Sequence, residues 1–264
     1  MRHHWLGWYT YAGGEAGQIY RILPGGKKLE IICNTGGFIL GVAVSPDGKI
    51  VFACDSVKKC IWKLELHSRA LTLFADKAGG LPFSIPNHLA FDREGHLYVT
   101  DSGNFRKVSG RILKFDRDGN GSVWHAGPFN FANGIAVGPD GAIYLCCSWL
   151  SGVERVELKP DGSPGKRSVY VKIPKCLPDG LAFDVSGNLY VSCYTPARIY
   201  KVTPKKAVSI LIDDWEAHVL SNPTNITFGG PKFDVLFVAN VGRWHIAKID
   251  LRVRWYGLAC HWKG

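Results

Sequence analysis

The segment Pro178-Asp179-Gly180-Leu181-Ala182-Phe183-Asp184 is one copy of a repeat that recurs along the chain. Its lead residue, Asp179, is matched by Gly41, Asn87, Asn133 and Asn225, and successive lead positions are 46 residues apart. A short apolar run follows each of them. Self-similarity at a fixed period of this length is typical of tandem arrays whose units share one hydrophobic core.

Each repeat contains a second run that is rich in β-branched and aromatic residues, which is typical of a β-strand. Hairpin turns such as Gly138-Pro139-Asp140-Gly141 separate it from the lead run. The second runs are Ile50–Asp55, Leu97–Asp101, Ile143–Cys147, Leu189–Cys193 and Leu236–Asn240. Two further strands complete the unit. Four strands in about 46 residues is the size of one propeller blade. Five such units, together with the later strands of a sixth before them, predict an all-β, six-bladed propeller that forms one domain over residues 1–264.

The first blade is expected to lack its innermost strand. Ile19 occupies the repeat position of Ile61, so the position equivalent to Gly41 falls just before Met1. Two arrangements are compatible with this. Residues 1–4 form an innermost strand, or the blade has three strands and an exposed edge.

Composition and charge narrow the class of protein. Apolar residues make up 46% and charged residues 20% of the chain, as in an ordinary globular domain. No apolar run is long enough to span a membrane, and the first eight residues are too polar for a secretory signal. We therefore predict a cytoplasmic protein without a membrane partner, of unknown oligomeric state.

The formal net charge of +10 comes from scattered basic doublets, such as Lys58-Lys59, most of them close to predicted turns. This pattern favours solvated loop tips and predicts no nucleic-acid partner. A general positive field that attracts anionic small molecules is the alternative.

The eight cysteines are predicted to be mainly buried free thiols. Cys54, Cys147 and Cys193 occupy or adjoin one repeat position, where a small buried apolar residue would serve. No pair has the two-residue gap of a thiolate metal site.

The lead residues are the candidates for chemistry. The innermost strands of a propeller line its central channel, so Asn87, Asn133, Asp179 and Asn225 are expected to converge. Amide and carboxylate oxygens suit a hard divalent cation such as Ca²⁺ or Mg²⁺. Such a cation could polarise a carbonyl while Asp179 positions or deprotonates a water. The alternative is that these side chains only hydrogen-bond the adjoining loops.

Four runs carry a resemblance to a known family: AGGEAGQIYRI at 12–22, FANGIA at 131–136, PDGLAFD at 178–184 and NPTNITFGG at 222–230. They resemble the gluconolactonase and senescence-marker-protein family of six-bladed propellers, related to strictosidine synthases and paraoxonases. The resemblance implies a divalent-metal-dependent hydrolase that opens lactone rings. By motif, Asn133 and Asp179 match metal ligands, Asp179 also matches the general base, and Asn87 matches a channel residue that contacts substrate or metal-bound water.

Two departures from the family pattern affect these expectations. The family's metal-binding Glu belongs to the innermost strand that precedes this sequence, and Glu15 lies in a later loop. The sugar-lactone enzymes carry an Arg where this chain has Ile85. The first interpretation is therefore a hydrolase of an unknown lactone or small ester, with one divalent cation, Ca²⁺ before Mg²⁺, Mn²⁺ or Zn²⁺. The second is a non-catalytic propeller that binds a small molecule or a protein.

Several residues have secondary roles in this hypothesis. Asn225 and Asp101 join Asn87 as candidates to contact substrate or to support the ligands. For Asp101, which ends a second strand, capping of nearby loop amides is the favoured alternative. The loop over residues 102–110 is a candidate lid or specificity loop, with an ordinary mobile loop as the alternative. His88 follows Asn87, so strand alternation is expected to turn it away from the channel.

Overall fold

The computed structural model describes residues 6–11, 17–22, 29–230, 232–254 and 256, with side chains from residue 17 onward. The strands form antiparallel sheets in chain order, which we label A to F. Sheet A contains β1 (Leu6–Tyr11), β2 (Gln18–Ile22) and β3 (Leu29–Asn34). Sheet B contains β4 (Ile39–Val44), β5 (Ile50–Asp55), β6 (Cys60–Glu65) and β7 (Leu71–Ala75).

The later sheets repeat this arrangement. A small hairpin, β8 (Lys77–Ala78) and β9 (Leu81–Pro82), precedes sheet C. Sheet C contains β10 (Pro86–Phe91), β11 (Leu97–Asp101), β12 (Gly110–Phe115) and β13 (Gly121–Phe129). Sheet D contains β14 (Ala132–Val137), β15 (Ile143–Cys147), β16 (Gly152–Leu158) and β17 (Pro164–Lys172). Sheet E contains β18 (Pro178–Phe183), β19 (Leu189–Cys193), β20 (Arg198–Val202) and β21 (Val208–Asp213). Sheet F contains β22 (Pro223–Gly229), β23 (Val235–Asn240) and β24 (His245–Asp250).

The first strands of the sheets surround a common axis. Contacts link β1 to β4, β4 to β10, β10 to β14, β14 to β18, β18 to β22 and β22 back to β1. The predicted all-β propeller is therefore confirmed. Sheets B to E have four strands, whereas sheets A and F have three among the described residues. The expected role of residues 1–4 lies outside the described part of the chain.

The second strands begin and end where the repeat predicted them in sheets B to E. Their side chains are almost entirely buried, as in β15, where all five residues are buried. The turns before them contain glycines such as Gly141 and Gly187, whose φ angles of 78° and 77° lie in the left-handed region. Glycine adopts this region without a steric penalty, so it allows the tight hairpin.

The core lies between neighbouring sheets. Phe52, Leu89 and Phe115 belong to one cluster between sheets B and C. Tyr144 and Phe183 belong to another between sheets D and E, with ring centroids 4.9 Å apart. Among the described residues, such clusters lie between successive sheets from A to F. Among the described residues, a single 3-10 turn, Ser148–Leu150, is the helical element, and no helix is long and apolar enough to span a bilayer.

A β-bulge interrupts each inner strand beside its lead residue. The register shifts between Pro86 and Leu89 in β10, and at the equivalent place in β14 and β18. Two residues on the bulged strand then face one on its partner, so side chains no longer alternate between the two faces. The bulges therefore redirect the residues around Asn87, Asn133 and Asp179.

The C-terminal residues 251–254 and 256 lie across the hairpin ends of sheets C, D and E, at the end of the channel opposite the lead residues. The backbone N–H of Tyr256 donates to the carbonyl of Phe183 at 2.9 Å. Its hydroxyl accepts a hydrogen bond from Arg93 and donates one to the carbonyl of Pro139 at 3.3 Å. This segment therefore joins the hairpin ends of sheets C, D and E.

One cysteine prediction is wrong. Cys193 forms a disulfide with Cys176, 17 residues earlier, instead of remaining a free thiol. Cys176 lies in the loop that enters β18, so only the folded chain brings the two sulfurs together. Cys54 and Cys147 are free and buried, as predicted. Disulfides are rare in reducing compartments, so the cytoplasmic location stays a prediction.

Candidate functional site at the channel entrance

Serine side chains hold Asn87 and Asn133 in equivalent positions. The Asn87 Nδ2 group donates to Ser102 Oγ at 2.9 Å, and Asn133 Nδ2 donates to Ser148 Oγ at 3.2 Å. Each serine hydroxyl then donates to a backbone carbonyl of the next sheet. Ser102 donates to Ala132 at 2.6 Å, and Ser148 donates to Pro178 at 2.8 Å.

This chain of hydrogen bonds fixes the orientation of both amides. A hydroxyl has one hydrogen, and here the backbone carbonyl receives it, so the serine can only accept from the asparagine. The NH₂ group must face the serine, which turns Oδ1 away from it. No hydrogen bond to Oδ1 of Asn87 or Asn133 is found among the described residues. Both amides therefore present an oxygen that is available for a ligand.

Asp179 is a carboxylate without a cationic partner. It is half-buried on β18, and none of the ion pairs in the described part of the chain includes it. Burial raises the pKa of its carboxyl to about 8, although a hydrogen bond from the Asn133 side chain opposes this shift. The carboxylate would be stabilised by a bound cation, because a nearby positive charge favours the ionised form.

Glycines bring the inner strands close enough for these side chains to meet. A Cβ atom on Gly134 would lie 2.4 Å from the carbonyl oxygen of Asp179. A Cβ atom on Gly180 would lie 2.6 Å from Asn225 Oδ1. Any larger residue at these positions would push β14, β18 and β22 apart. The close approach explains how Asn133 reaches the Asp179 carboxyl.

The prediction for His88 is wrong. Its Nε2 atom lies 2.5 Å from Asn225 Nδ2, on the strand across the channel, because the bulge in β10 breaks the alternation of side chains. Gly41 leaves room for the ring, since a Cβ there would lie 2.6 Å from His88 Cδ2. Burial lowers the pKa of His88 to about 4, and the Ile135 backbone opposes the shift. The imidazole is therefore neutral at physiological pH.

The Asn225 amide is committed to structural contacts. Its Oδ1 accepts the backbone N–H of Ile226 at 2.9 Å, and its Nδ2 faces His88. Asn225 therefore differs from Asn87 and Asn133, whose carbonyl oxygens are available. Its predicted contact with substrate stays a prediction.

Asp101 is fully buried beneath the site and holds a loop. Its carboxylate accepts backbone N–H groups of Ser84 and Ile85 and pairs with Arg111 at 2.8 Å. These contacts fix the loop that leads into β10. Asp101 thus positions Asn87 indirectly, through the backbone of this loop. Its direct contact with a substrate or ligand stays a prediction.

Two features lie away from the lead residues. Asp92, Glu94 and His96 bring potential metal ligands within 4.8 Å of one another on the hairpin of sheet C. Asp92 already binds His96 Nδ1 at 2.8 Å, so two of these three side chains are paired with each other. A pocket of about 200 Å³ between the hairpin ends of sheets D and E is lined by residues such as Tyr144 and Tyr170. Neither feature adjoins Asp179.

Sequence reasoning missed the serines that orient the asparagines. Serine recurs at positions 56, 102 and 148, with the same 46-residue spacing as the lead residues. The repeat was therefore visible, but its meaning depends on the next sheet, whose carbonyls accept the hydroxyl hydrogens. A search for polar residues that share the period at strand ends would have found them.

Comparisons with known proteins identify the family of the chain. Residues 64–242 match the sequence model of the family described as SMP-30/Gluconolactonase/LRE-like region. A gluconolactonase from Zymomonas mobilis is 28% identical over 208 residues, which are 69% of this chain and 56% of that protein. The chain thus spans about half the length of the curated relatives it matches.

Solved structures show the same fold at low sequence identity. A gluconolactonase from Xanthomonas campestris has a TM-score of 0.73 at 18% identity and covers 88% of this chain and 78% of its own. A luciferin-regenerating enzyme has a TM-score of 0.74 at 17% identity and covers 97% of this chain and 94% of its own. With the match to more than half of the sequence, these findings show that the chain belongs to the SMP-30/gluconolactonase family.

Proposed function

We propose that the protein is a divalent-cation-dependent hydrolase of a lactone or small ester, with its site at the channel entrance. The observation that carries the proposal is the pairing of Asp179 with Asn133. A carboxylate without a cationic partner lies beside an amide whose oxygen is turned outward by Ser148. Family membership supports the type of reaction. We also propose that sheets A and F are the incomplete blades of a six-bladed ring.

The donor set fits a hard cation. Asp179 supplies a carboxylate, and Asn133 and Asn87 supply amide oxygens. Oxygen ligands of this kind suit Ca²⁺, with Mg²⁺, Mn²⁺ or Zn²⁺ as alternatives. When bound, the cation would polarise the carbonyl of the substrate and lower the pKa of a water.

The side chains of this chain have distinct roles in the proposed reaction. Asp179 would accept the proton of the attacking water, the role that its match to the family motif implies. Asn133, oriented by Ser148, would supply its amide oxygen to the cation beside Asp179. Asn87 would bind the substrate or the water. The neutral His88 limits the depth of the site from the opposite side.

The test compares metal-stripped wild type with Asp179→Asn. Each divalent cation is added in turn, and its binding is measured by thermal unfolding and by calorimetry. A cation at about 100 times its dissociation constant should add about 2.7 kcal/mol of stability to the wild type. Hydrolysis of simple lactones and esters is then measured with the cation that binds.

The control is Asp213→Asn, which removes an exposed carboxylate from the outer strand β21. We expect Asp213→Asn to bind the cation and turn over substrate like the wild type, and Asp179→Asn to do neither. Turnover by Asp179→Asn at the rate of the wild type would refute the assignment. Cation binding without turnover of any lactone or ester would favour the non-catalytic, ligand-binding propeller.

A further inference from the structure

Three aromatic side chains, Phe105, Phe131 and Trp149, form a cluster on the same end of the molecule as the lead residues. We call them the aromatic cluster. Their ring centroids are 5.7 Å (Phe105 to Phe131), 5.3 Å (Phe105 to Trp149) and 6.2 Å (Phe131 to Trp149) apart, packed edge to face. Phe105 is 58% exposed and Trp149 is 41% exposed. Contiguous exposed aromatic surface of this kind marks a binding site.

The aromatic cluster is joined to the candidate ligands by short connections. The carbonyl of Phe131 accepts the backbone N–H of Ser148 at 3.3 Å, and Ser148 holds the Asn133 amide. Trp149 directly follows Ser148. Phe105 lies in the loop that starts at Ser102, the serine that holds Asn87. Both asparagines thus share their supporting serines with the loops that carry the aromatic rings.

The backbone of Phe131 is strained. Its φ angle is 58°, in the left-handed region that bulky residues rarely adopt because Cβ approaches the carbonyl oxygen. The hydrogen bond from Ser148 holds it there, two residues before Asn133. Strained conformations concentrate at ligand-binding sites. This observation is independent of the exposure of the rings and points to the same place.

The aromatic cluster lies at the end of the channel where the lead residues begin the inner strands. At the opposite end of the molecule, Tyr256 of the C-terminal segment binds Phe183 and Pro139. The bridge between His88 and Asn225 crosses the channel itself. Among the described residues, the aromatic rings therefore lie at the end of the molecule that carries the lead residues, and the C-terminal segment lies at the other end.

We propose that the aromatic cluster binds an apolar substituent of the substrate, an alkyl chain carried by the ring of a lactone. This inference rests on the proposed function. The three side chains offer hydrocarbon surface and one indole N–H, whereas a polyhydroxylated ring would require several hydrogen-bonding side chains. Their proximity to Asn133 favours a substrate over a separate partner. Arg106, 5.6 Å from the centre of the Phe105 ring, supports the loop from outside.

The experiment uses two lactones with the same six-membered ring, δ-valerolactone without a side chain and δ-decalactone with a five-carbon chain. We expect the wild type with its cation to prefer δ-decalactone by at least about tenfold in kcat/KM, because a buried chain adds favourable transfer free energy. Phe105→Ala and Trp149→Ala should lose this preference mainly through KM. Their kcat/KM for δ-valerolactone should change less than about twofold.

Leu73→Ala serves as the control, since Leu73 is an apolar residue, 54% exposed, on the outermost strand of sheet B. It should keep the preference for the longer lactone. An equal loss for both lactones in the aromatic variants, or a wild type indifferent to the chain, would overturn the proposal. If the aromatic variants instead keep the preference but lose binding to phosphatidylserine vesicles, the aromatic cluster is a membrane contact and the proposal is also overturned.

A binding measurement separates this proposal from the proposed function. If no lactone is hydrolysed, calorimetry with the two corresponding lactams, which resist hydrolysis, still compares the ring with and without the chain. Tighter binding of the long-chain lactam by the wild type, lost in Phe105→Ala and Trp149→Ala, would support the aromatic cluster as a chain-binding site although hydrolysis had failed. Equal binding of both lactams would refute it.

Discussion

Asn225 Nδ2 lies 2.5 Å from Nε2 of His88, although the two residues are 137 positions apart. Their strands do not touch as neighbours in the ring of inner strands. β10 reaches β22 through β14 and β18 on one side and through β4 and β1 on the other. Because Asn225 Oδ1 already accepts from Ile226, its NH₂ group donates to His88. The imidazole proton therefore resides on Nδ1.

The contact between His88 and Asn225 should stabilise the fold, and the effects of replacing the two residues should be coupled. We expect His88→Ala to lower the free energy of unfolding by about 2–3 kcal/mol, because it removes a large, mostly buried ring. Asn225→Ala should cost about 1–2 kcal/mol. The double variant should lose less than the sum by at least about 0.5 kcal/mol, since the two residues share one interaction. Urea unfolding of all four proteins measures this.

His88→Gln provides the matched control, because its side-chain carbonyl can still accept from Asn225. It should recover part of the stability that His88→Ala loses. Strictly additive losses in the double-mutant cycle would mean that the two side chains do not bridge the channel in solution.

Cation affinity should depend on pH through Asp179. The pKa of this carboxyl is raised to about 8, and a cation needs the ionised form. Affinity should therefore rise between pH 6 and pH 8, by up to about tenfold per pH unit, and level off above pH 8. Calorimetric titration at several pH values measures this, and proton release should accompany binding below pH 8. An affinity independent of pH across this range would contradict the raised pKa.

The raised pKa of Asp179 can also be tested in the metal-free protein. Between about pH 4 and pH 8, an unfolded chain has Asp179 ionised, whereas the folded chain keeps it protonated. The folded state binds more protons, so this group lowers stability as pH rises through that window. Asp179→Asn should lack this loss, and its stability relative to the wild type should increase from pH 4 to pH 8. The same relative stability at both pH values would argue against burial of the acid.

The serines should matter for cation binding because they orient the asparagines. Ser148→Ala frees the Asn133 amide to rotate, and we expect the cation affinity to fall about tenfold, as for other residues that support ligands. Ser56→Ala is the matched control. Ser56 occupies the same repeat position in sheet B and donates to Phe38, but the lead residue there is Gly41. An equal loss of affinity in both variants would show a general effect on packing.

The disulfide between Cys176 and Cys193 should stabilise the strand that carries Asp179. Closing a loop of 17 residues restricts the unfolded chain, and we expect the double variant Cys176→Ser/Cys193→Ser to lose about 3 kcal/mol. Urea unfolding measures the change. Cys54 and Cys147 should remain unreactive towards thiol reagents until the protein unfolds, because both are buried. Thiol labelling of the native protein at either position would contradict this.

The 46-residue period was sufficient to locate the strands. Runs rich in β-branched and aromatic residues, each preceded by a glycine turn, predict β11 at Leu97–Asp101 and β19 at Leu189–Cys193, and the structure confirms both. Both signals are local, because a strand that buries two faces between neighbours needs apolar residues throughout. The positions of the lead residues are predicted by the same 46-residue period.

The other features of the site depend on contacts between distant residues, which the 46-residue period does not reveal. The bulge in β10 turns His88 into the channel, and no local pattern around Asn87 marks it. The disulfide joins Cys193 to a loop residue that has no equivalent in the other repeats. The role of Ser148 depends on a carbonyl of the following sheet. The sequence predicted which residue types form the candidate site. The orientation of their side chains could be determined only from the structure.

Two equivalent hydrogen bonds between neighbouring sheets run from a serine side chain to a backbone carbonyl. Ser102 donates to Ala132, and the same relation joins Ser148 to Pro178. A carbonyl is present at every residue, so the acceptor imposes no requirement on the identity of the next unit. A duplicated unit would therefore bond to its new neighbour without any compensating substitution. The lead positions would then be free to diverge, one copy to an aspartate and another to an asparagine, while the ring between them stayed closed.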